Sequence, residues 1–359
     1  MNKTKHFRVM VLDLQLFADV TNATTSSSTG NNLSAEMKTF YDKVLLREAG
    51  PKLVHEQFGQ KRDIPRGNGK TIEFRKFNQL PKAMTALTEG VTPDGGALDV
   101  TSLTATVSQY GYFVRITDLL DLTAIDNVIV EATQLLGSQA GLTMDTVVRN
   151  QLVAGTNVLW CPKITSGAET AVESRSGMDT TAQLTVKMIE KAAATLKAKN
   201  VPSFDGKYVA IIHPYVAFDL RQDSRWIDAH KYAATTELFN GELGEIAGVR
   251  FVETTEAKIW NDGTCPQKTA AGSGGVAATY YSVFATLVLG KNAYGVTEVT
   301  GGGLQTIVKP RGSGGTADPL DQRSTVGWKG IRTAKILLEQ NMVRIESVSK
   351  EWSATAKAN

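Results

Sequence analysis

The sequence predicts an α+β fold in which a long β-hairpin projects from a body built around one long helix. Residues 61–116 hold two segments of alternating apolar and polar residues, separated by a Gly-, Pro- and Thr-rich stretch, and this pattern is typical of a hairpin. Apolar residues then recur at helical spacing over 118–154, and short apolar runs bounded by turn residues follow over 207–347. At roughly 150 residues per domain, the 359 residues predict two or three packing units.

The charge balance argues against a dedicated nucleic-acid binder. Lys and Arg number 39 and Asp and Glu 36, so the formal net charge is only +3, whereas sequence-specific binders carry a larger basic excess. Weak contact between phosphate and a local basic patch remains compatible with this balance.

The cysteines and the apolar runs exclude further classes. Cys161 and Cys265 are too few for a disulfide framework or a Cys-rich zinc site, and such sparse use is typical of a reducing cytoplasm. No apolar run reaches about 18 residues, so we expect no transmembrane helix. The N-terminal stretch lacks a convincing cleavage site, so we expect no signal peptide.

The first 60 residues predict an arm followed by short helices. Residues 1–32 contain a Thr/Ser/Asn-rich tract that offers little apolar surface to bury, so we expect a mobile arm. Met10 is an alternative start. Residues 33–60 show helical spacing, with Ser34 as a possible cap and Gly50-Pro51 dividing two short helices.

Residues 61–116 predict the hairpin. In its first strand Ile72 and Phe74 point one way and Glu73 and Arg75 the other. The apolar parity of the return strand changes near 108–109, which predicts a β-bulge there. A long hairpin is marginally stable alone, so we expect a partner surface to stabilise it.

Residues 117–180 predict a peripheral domain that contains the long helix. Asp118 or Asp121 could cap a helix over 118–154, and Gly155 stands where a terminating glycine belongs. At 1.5 Å per residue this helix would be roughly 50 Å long and act as a spine. Residues 161–180 read as a polar loop.

Residues 181–310 predict an axial domain, and 311–359 a return to the peripheral domain with C-terminal strands. We expect a helix over 181–199, a buried strand over 207–213 and a short helix opened by Pro214. A loop over 223–247 precedes a strand over 249–253. Strands over 280–289 and 293–299 follow, and the last strands form a hairpin that turns at 340–341.

Motifs that could carry chemistry have simpler interpretations. Gly67-Asn-Gly-Lys-Thr71 resembles the end of a phosphate loop, but Ile64 replaces the required first glycine and a strand follows instead of a helix. No metal-ligand spacing such as H-E-x-x-H or CxxC occurs. His213, before Pro214, reads as a core or capping histidine. The sequence therefore predicts no catalytic, cofactor or metal site.

The basic residues of the hairpin are the candidate site. A solvated strand face would account for them, but a cluster of this kind also suits salt bridges to an acidic patch on a neighbouring subunit. With one acidic residue near the tip, the candidate assembly interface is Lys61, Arg62, Arg66, Lys70, Arg75, Lys76, Lys82 and Glu89.

The order of these segments resembles the major capsid protein of tailed phages, the Hong-Kong-97-like fold. GELGEIAGVRFVET at 241–254 is similar to the segment that precedes a central strand in that family. DPLDQRSTVGWKGIRTAKILLEQNMVRIES at 318–347 is similar to the C-terminal part of the capsid family typified by phage N-four. LQLFAD at 14–19 resembles the start of many phage structural proteins.

This resemblance implies a function in assembly. The protein would form pentamers and hexamers of an icosahedral shell around double-stranded DNA, which it would contact non-specifically. The resemblance also implies a separate scaffolding protein, a portal protein, assembly in the host bacterial cytoplasm, and neither cofactor nor membrane. The alternatives are a cellular encapsulin-type compartment shell, a different virion component such as a tail protein, and a hydrolase.

Overall fold

The fold was analysed in a computed structural model that describes residues 43–49, 53–77, 80–87, 89–92, 95–123, 128–231, 244–269, 278–315 and 318–359. The predicted arm over 1–32, the possible cap Ser34 and the Gly50-Pro51 break lie outside these residues. Within them, no helix has the length and apolar character to cross a membrane.

The described residues form six α-helices and eighteen strands. The helices are α1 (43–49), α2 (Asp118–Thr123), α3 (Val128–Leu152), α4 (Val186–Ala198), α5 (Pro214–Arg221) and α6 (Ser224–Lys231). The strands are β1 (Gln60–Lys61), β2 (Thr71–Phe77), β3 (Val100–Thr106), β4 (Ser108–Thr117), β5 (Val158–Trp160), β6 (Lys163–Thr165), β7 (Ala168–Thr170), β8 (Tyr208–Ile212), β9 (Glu245–Ile246), β10 (Val249–Glu253), β11 (Ile259–Trp260), β12 (Gln267–Thr269), β13 (Thr279–Tyr280), β14 (Val283–Leu289), β15 (Tyr294–Thr297), β16 (Gln305–Lys309), β17 (Arg323–Ile336) and β18 (Met342–Val348).

Two sheets organise the body. A five-stranded sheet has the order β1-β15-β17-β16, with β4 also paired to β17, and a seven-stranded sheet has the order β5-β18-β14-β8-β10-β9, with β11 paired to β14. Three two-stranded ribbons, β2-β3, β6-β7 and β12-β13, complete the pairing.

The long helix α3 connects the cores of both sheets. Its first two thirds pack Leu136 and Met144 against Val326 and Trp328 of the five-stranded sheet. Its C-terminal end places Leu152 in the core that also holds residues of the seven-stranded sheet. At 1.5 Å per residue, its 25 residues span about 38 Å, so α3 is a spine.

The helix predicted over 118–154 differs in extent and in both caps. The described part divides into α2 and α3, and 124–127 lie outside it. Thr117 is the N-cap of α2, where its Oγ1 accepts the Leu120 N–H at 3.4 Å, and Asp118 Oδ1 accepts the Leu119 N–H at 2.8 Å. Gly155 is not left-handed. Close packing requires it instead, because a Cβ there would lie 2.7 Å from Met342 Cε.

Strands β8 and β10 of the seven-stranded sheet and the helix opened by Pro214 confirm their local predictions. Strand β8 is buried at every position, and α5 begins at Pro214 with the His213 side chain accepting from the Tyr215 N–H. Helix α4 begins later than expected, at Val186, and buries Met188, Ile189, Ala192 and Leu196 as its apolar spacing requires. Strand β10 forms as predicted.

Four segments differ from their predicted structure. Residues 55–58 form a turn in place of a second helix, because the Asp145 carboxylate accepts the His55 N–H at 2.7 Å. The predicted loop over 161–180 contains the ribbon β6-β7, which turns at Ser166-Gly167 with left-handed φ values of 52° and 82°. The predicted loop over 223–247 contains α6.

The fourth difference is the C-terminal hairpin, which does not form. Strand β17 pairs with β4, β15 and β16, whereas β18 pairs with β14 and β5. The chain therefore crosses from one sheet to the other at 337–341. Strands β15 and β16 lie within the predicted axial range, 181–310, but belong to the five-stranded sheet. Strand β18 lies within the predicted return to the peripheral domain, 311–359, but belongs to the seven-stranded sheet.

Candidate assembly surface

The hairpin is a two-stranded ribbon that is anchored at one place. Strands β2 and β3 are antiparallel, from Thr71 opposite Thr106 to Phe77 opposite Val100. Phe74 is only 4% exposed, and its ring occupies the space above Gly295 of β15, where a Cβ would lie 2.7 Å from it. The predicted alternation is confirmed, because Glu73 and Arg75 face solvent.

Beyond this anchor the ribbon exposes apolar side chains. Met84 is 84% exposed, Leu87 78%, Val91 63% and Leu98 69%. Every described residue from 80 to 102 is exposed. Large apolar side chains that are exposed together along one segment commonly mark an interaction site, so this part of the hairpin lacks the cover that an interface would give.

The return strand changes its partner where the bulge was predicted. The ladder is interrupted at Val107, one residue before the expected position, and the Val107 N–H donates to the Lys70 carbonyl at 2.9 Å. Strand β3 pairs with β2, whereas β4 pairs with β17. The change of parity therefore marks the entry of the chain into the body, and the projecting ribbon covers 71–106 and not all of 61–116.

The structure places the eight candidate residues along the ribbon and its entry strand. Lys61 lies in β1 with its Nζ 3.6 Å from Glu56 Oε1. The Arg62 guanidinium lies 5.7 Å from the centre of the Phe74 ring, and Arg75 Nε lies 3.5 Å from Glu73 Oε1. Lys76 is half-buried, and the other seven candidates are exposed. Those not yet placed are Arg66, Lys70, Lys82 and Glu89.

Basic and acidic residues are separated along the hairpin, a feature beyond the basic cluster predicted above. The seven basic candidates all lie between 61 and 82. Residues 83–100 contain three acidic residues, Glu89, Asp94 and Asp99, and no basic one. The base of the hairpin is therefore basic and its distal part is acidic and apolar.

A groove lies on the face of the five-stranded sheet that is turned away from α3. Its volume is about 540 Å³, and Phe113 and Ile307 are 55% and 36% exposed along it. Gly327 is a glycine because a Cβ there would lie 2.7 Å from Phe113 Cβ. Three basic residues, Arg115, Lys309 and Arg323, line the groove together with one acidic residue, Asp318.

A buried polar cluster fixes the entry strand to the spine. His55 Nδ1 lies 2.6 Å from Asp145 Oδ2, and both side chains are almost fully buried. The Tyr294 hydroxyl donates to the His55 carbonyl, which ties β15 to the same point. Arg332 pairs with Glu56 beside this cluster. The single His55 gave no periodic signal, so its role could not be predicted from sequence.

Groups with nucleophilic or acid–base potential are held in unreactive states. Burial raises the pKa of the Cys161 thiol and of the Tyr294 hydroxyl, which keeps both protonated. Burial lowers the pKa of His213 to about 4, so the ring stays neutral and accepts the α5 cap hydrogen bond. Trp226 packs edge-on against Phe251. The described residues contain no cluster of three metal-ligating side chains.

Solved capsid structures share this fold. The capsid structure of cyanophage P-SCSP1u matches with a TM-score of 0.59 and 16% identity, over 82% of this chain and 87% of that chain. The cyanophage Pam1 capsid matches with a TM-score of 0.57 and 14% identity, over 92% and 98%. The capsid of Ralstonia phage GP4 matches with a TM-score of 0.56 and 16% identity, over 82% and 88%. The fold is therefore that of tailed-phage shell proteins, the Hong-Kong-97-like fold.

The family follows from the sequence match. A family model described as "Phage capsid protein" matches residues 54–312, and the chain belongs to this family. No curated protein matches the chain significantly. The protein is a phage major capsid protein, a structural subunit of the virion shell and not an enzyme. This excludes the hydrolase, and the compartment-shell alternative is not favoured.

Proposed function

We propose that the hairpin of each subunit lies over a neighbouring copy and that this contact drives closure of the shell. The exposed apolar ribbon between residues 80 and 102 is the observation that carries the proposal, because one chain leaves this surface uncovered. Identical subunits in closed rings supply the same partner surface at every contact.

The charge pattern gives this contact a direction. The acidic distal part of the hairpin, with Glu89, complements a groove lined by Arg115, Lys309 and Arg323. The basic residues at the hairpin base would meet acidic groups elsewhere on the neighbour. Complementary charges fix register more than they add affinity, and weak contacts allow misplaced subunits to dissociate.

The larger assembly follows from the family resemblance. We propose an icosahedral shell of pentamers and hexamers around double-stranded DNA, assembled in the host bacterial cytoplasm with a separate scaffolding protein and a portal protein. The net charge of +3 supports non-specific DNA contact without strong retention. The Gly-rich hairpin tip and the partner change at Val107 would let one sequence fit different local curvatures.

Charge reversal on the hairpin tests the proposal. Arg75→Glu with Lys76→Glu alters two side chains of β2. Arg75 faces away from the buried Phe74, and Lys76 is only half-buried. We expect a folded, soluble subunit with wild-type circular dichroism, whose light-scattering signal for particles is reduced at least severalfold.

A matched control separates a local effect from a change in net charge. Lys197→Glu with Lys199→Glu changes the net charge equally at exposed positions at the end of α4, and we expect it to assemble far better than the hairpin variant. Normal particles from the hairpin variant, or an equal loss in both, would contradict the hairpin contact.

A further inference from the structure

Within the Gly67-Asn68-Gly69-Lys70 turn, only Lys70 has a part in the shell contacts proposed above. It precedes β2 and is exposed throughout. The Asn68 N–H donates to the Pro65 carbonyl at 3.2 Å. Both glycines are left-handed, with φ values of 90° and 83°, and no atom beyond the adjacent residues lies within 4 Å of the place where a Cβ on either would stand. Solvent therefore reaches the turn at both glycines.

This arrangement favours an intramolecular reaction of the asparagine. The side-chain carbonyl carbon of Asn68 lies within reach of the backbone nitrogen of residue 69, which carries no side chain to shield it. In the described part of the chain, no backbone or side-chain acceptor holds the Gly69 N–H. Glycine on both sides also lets the backbone rotate through conformations that other residues avoid.

We propose that Asn68 is a site of spontaneous deamidation in the folded subunit. The Gly69 nitrogen loses its proton to solvent base and attacks Asn68 Cγ, so that an N–C bond forms. The Cγ–Nδ2 bond breaks and ammonia leaves, which closes a five-membered succinimide. Water then opens the ring at either carbonyl, giving aspartate or isoaspartate. The net change is one amide and one water converted to one carboxylate and ammonium.

The local electrostatics favour the anionic steps. Arg66 and Lys70 flank the turn, and the Arg66 guanidinium lies 3.7 Å from the Cβ position of Gly301 on the neighbouring loop. Positive charge beside the turn favours a deprotonated nitrogen and the carboxylate product.

The product changes the hairpin base. A new carboxylate introduces one negative charge into the basic cluster, and the isoaspartate form inserts a methylene into the backbone just before Thr71, which begins the β2-β3 register opposite Thr106. The effect on assembly rests on the proposed function, but the chemistry does not.

Peptide mapping of the purified full-length chain tests this. A protease that cleaves after glutamate releases residues 57–73. After incubation at mildly alkaline pH, we expect this peptide to gain about one dalton and to split into aspartate and isoaspartate forms. Asn200 and Asn292 are internal controls, because both are exposed and left-handed but precede Val201 and Ala293.

Two variants and a reference complete the design. Asn68→Gln keeps the amide and the turn but requires a six-membered ring, so we expect conversion to fall severalfold below that of the wild type. Gly69→Ala should slow it likewise. The urea-unfolded chain sets the unrestrained rate. Intact Asn68 in the folded chain after the unfolded chain has converted would overturn the proposal, and so would equal conversion at Asn200 and Asn292. The mass of the peptide that contains Asn68 does not depend on assembly. A negative result would therefore refute the deamidation site and leave the proposed shell function unaffected.

Discussion

At the residue scale, buried polar groups determine how the elements join. His213 stands between β8 and α5, is only 6% exposed and accepts the Tyr215 N–H at 3.2 Å through Nδ1. An N-cap acceptor must keep a lone pair, so only the neutral ring can do this. Burial in apolar surroundings favours the same neutral form, because it lowers the pKa of His213 from 6.5 to about 4.

Stability should therefore depend on pH through His213. Because its folded pKa lies below its unfolded value, the contribution is complete above pH 6.5 and is lost as pH falls toward about 4. His213→Asn keeps a good capping residue that does not titrate. We expect the wild type to lose about 2–3 kcal/mol more unfolding free energy than this variant over that interval, measured by urea denaturation. Parallel pH profiles would contradict this.

At the element scale, α1 crosses the spine at a glycine. A Cβ at Gly137 would lie 2.9 Å from the Leu45 carbonyl oxygen and 3.1 Å from Glu48 Cβ. Considered alone, a glycine in a helix interior weakens the helix. The structure gives the opposite reason for it, since only glycine allows the two helices to approach so closely.

Gly137→Ala should therefore destabilise the protein, although the same change in an ordinary helix interior stabilises by about 1 kcal/mol. We expect a loss of about 1–3 kcal/mol, typical of overpacking, in urea denaturation. Ser138→Ala, at the next and half-buried position, is the control and should change stability by less than about 0.5 kcal/mol. A more stable Gly137→Ala variant would show that α1 can move away.

Elements set by local patterns were predictable, and those set by distant partners were not. The strand at 208–212 is apolar throughout and Pro214 can only begin a helix, so β8 and α5 follow from their own residues. Residues 55–58 have helical spacing, but Asp145, ninety positions away, takes the His55 N–H. Likewise 336–349 read as a hairpin, but the strand before the turn pairs in the five-stranded sheet and β18 pairs with β14.

At the scale of the whole molecule, each of the two sheets combines strands from distant parts of the chain. Strand β5 joins β18, and β4 joins β17, so neither sheet is a continuous segment. The candidate surface was predictable in its location, since the hairpin pattern is local. The groove on the five-stranded sheet was not predictable, because Gly111, Ile307 and Gly327 come together only through β4, β16 and β17.

The access of a protease to the hairpin should differ between the free subunit and the shell. Lys82 is exposed, as are all described neighbours from 80 to 87, and exposed segments of this kind are preferred sites of proteolysis. We expect brief trypsin treatment of free subunits to cut after Lys82. Under the proposed contact the neighbouring copy would cover this segment in assembled particles, so cleavage there should be slowed by at least tenfold, in line with access through rare opening.

Mass spectrometry of the fragments identifies the cut, and Lys82→Gln, which should remove it, confirms the assignment. Free subunits that were already nicked after Lys82 should assemble poorly, because the distal acidic part is then held only by β3. Equal cleavage at Lys82 in subunits and in particles would mean that the ribbon stays uncovered in the shell. The exposed apolar side chains between 80 and 102 would then have to serve a contact other than one between neighbouring subunits.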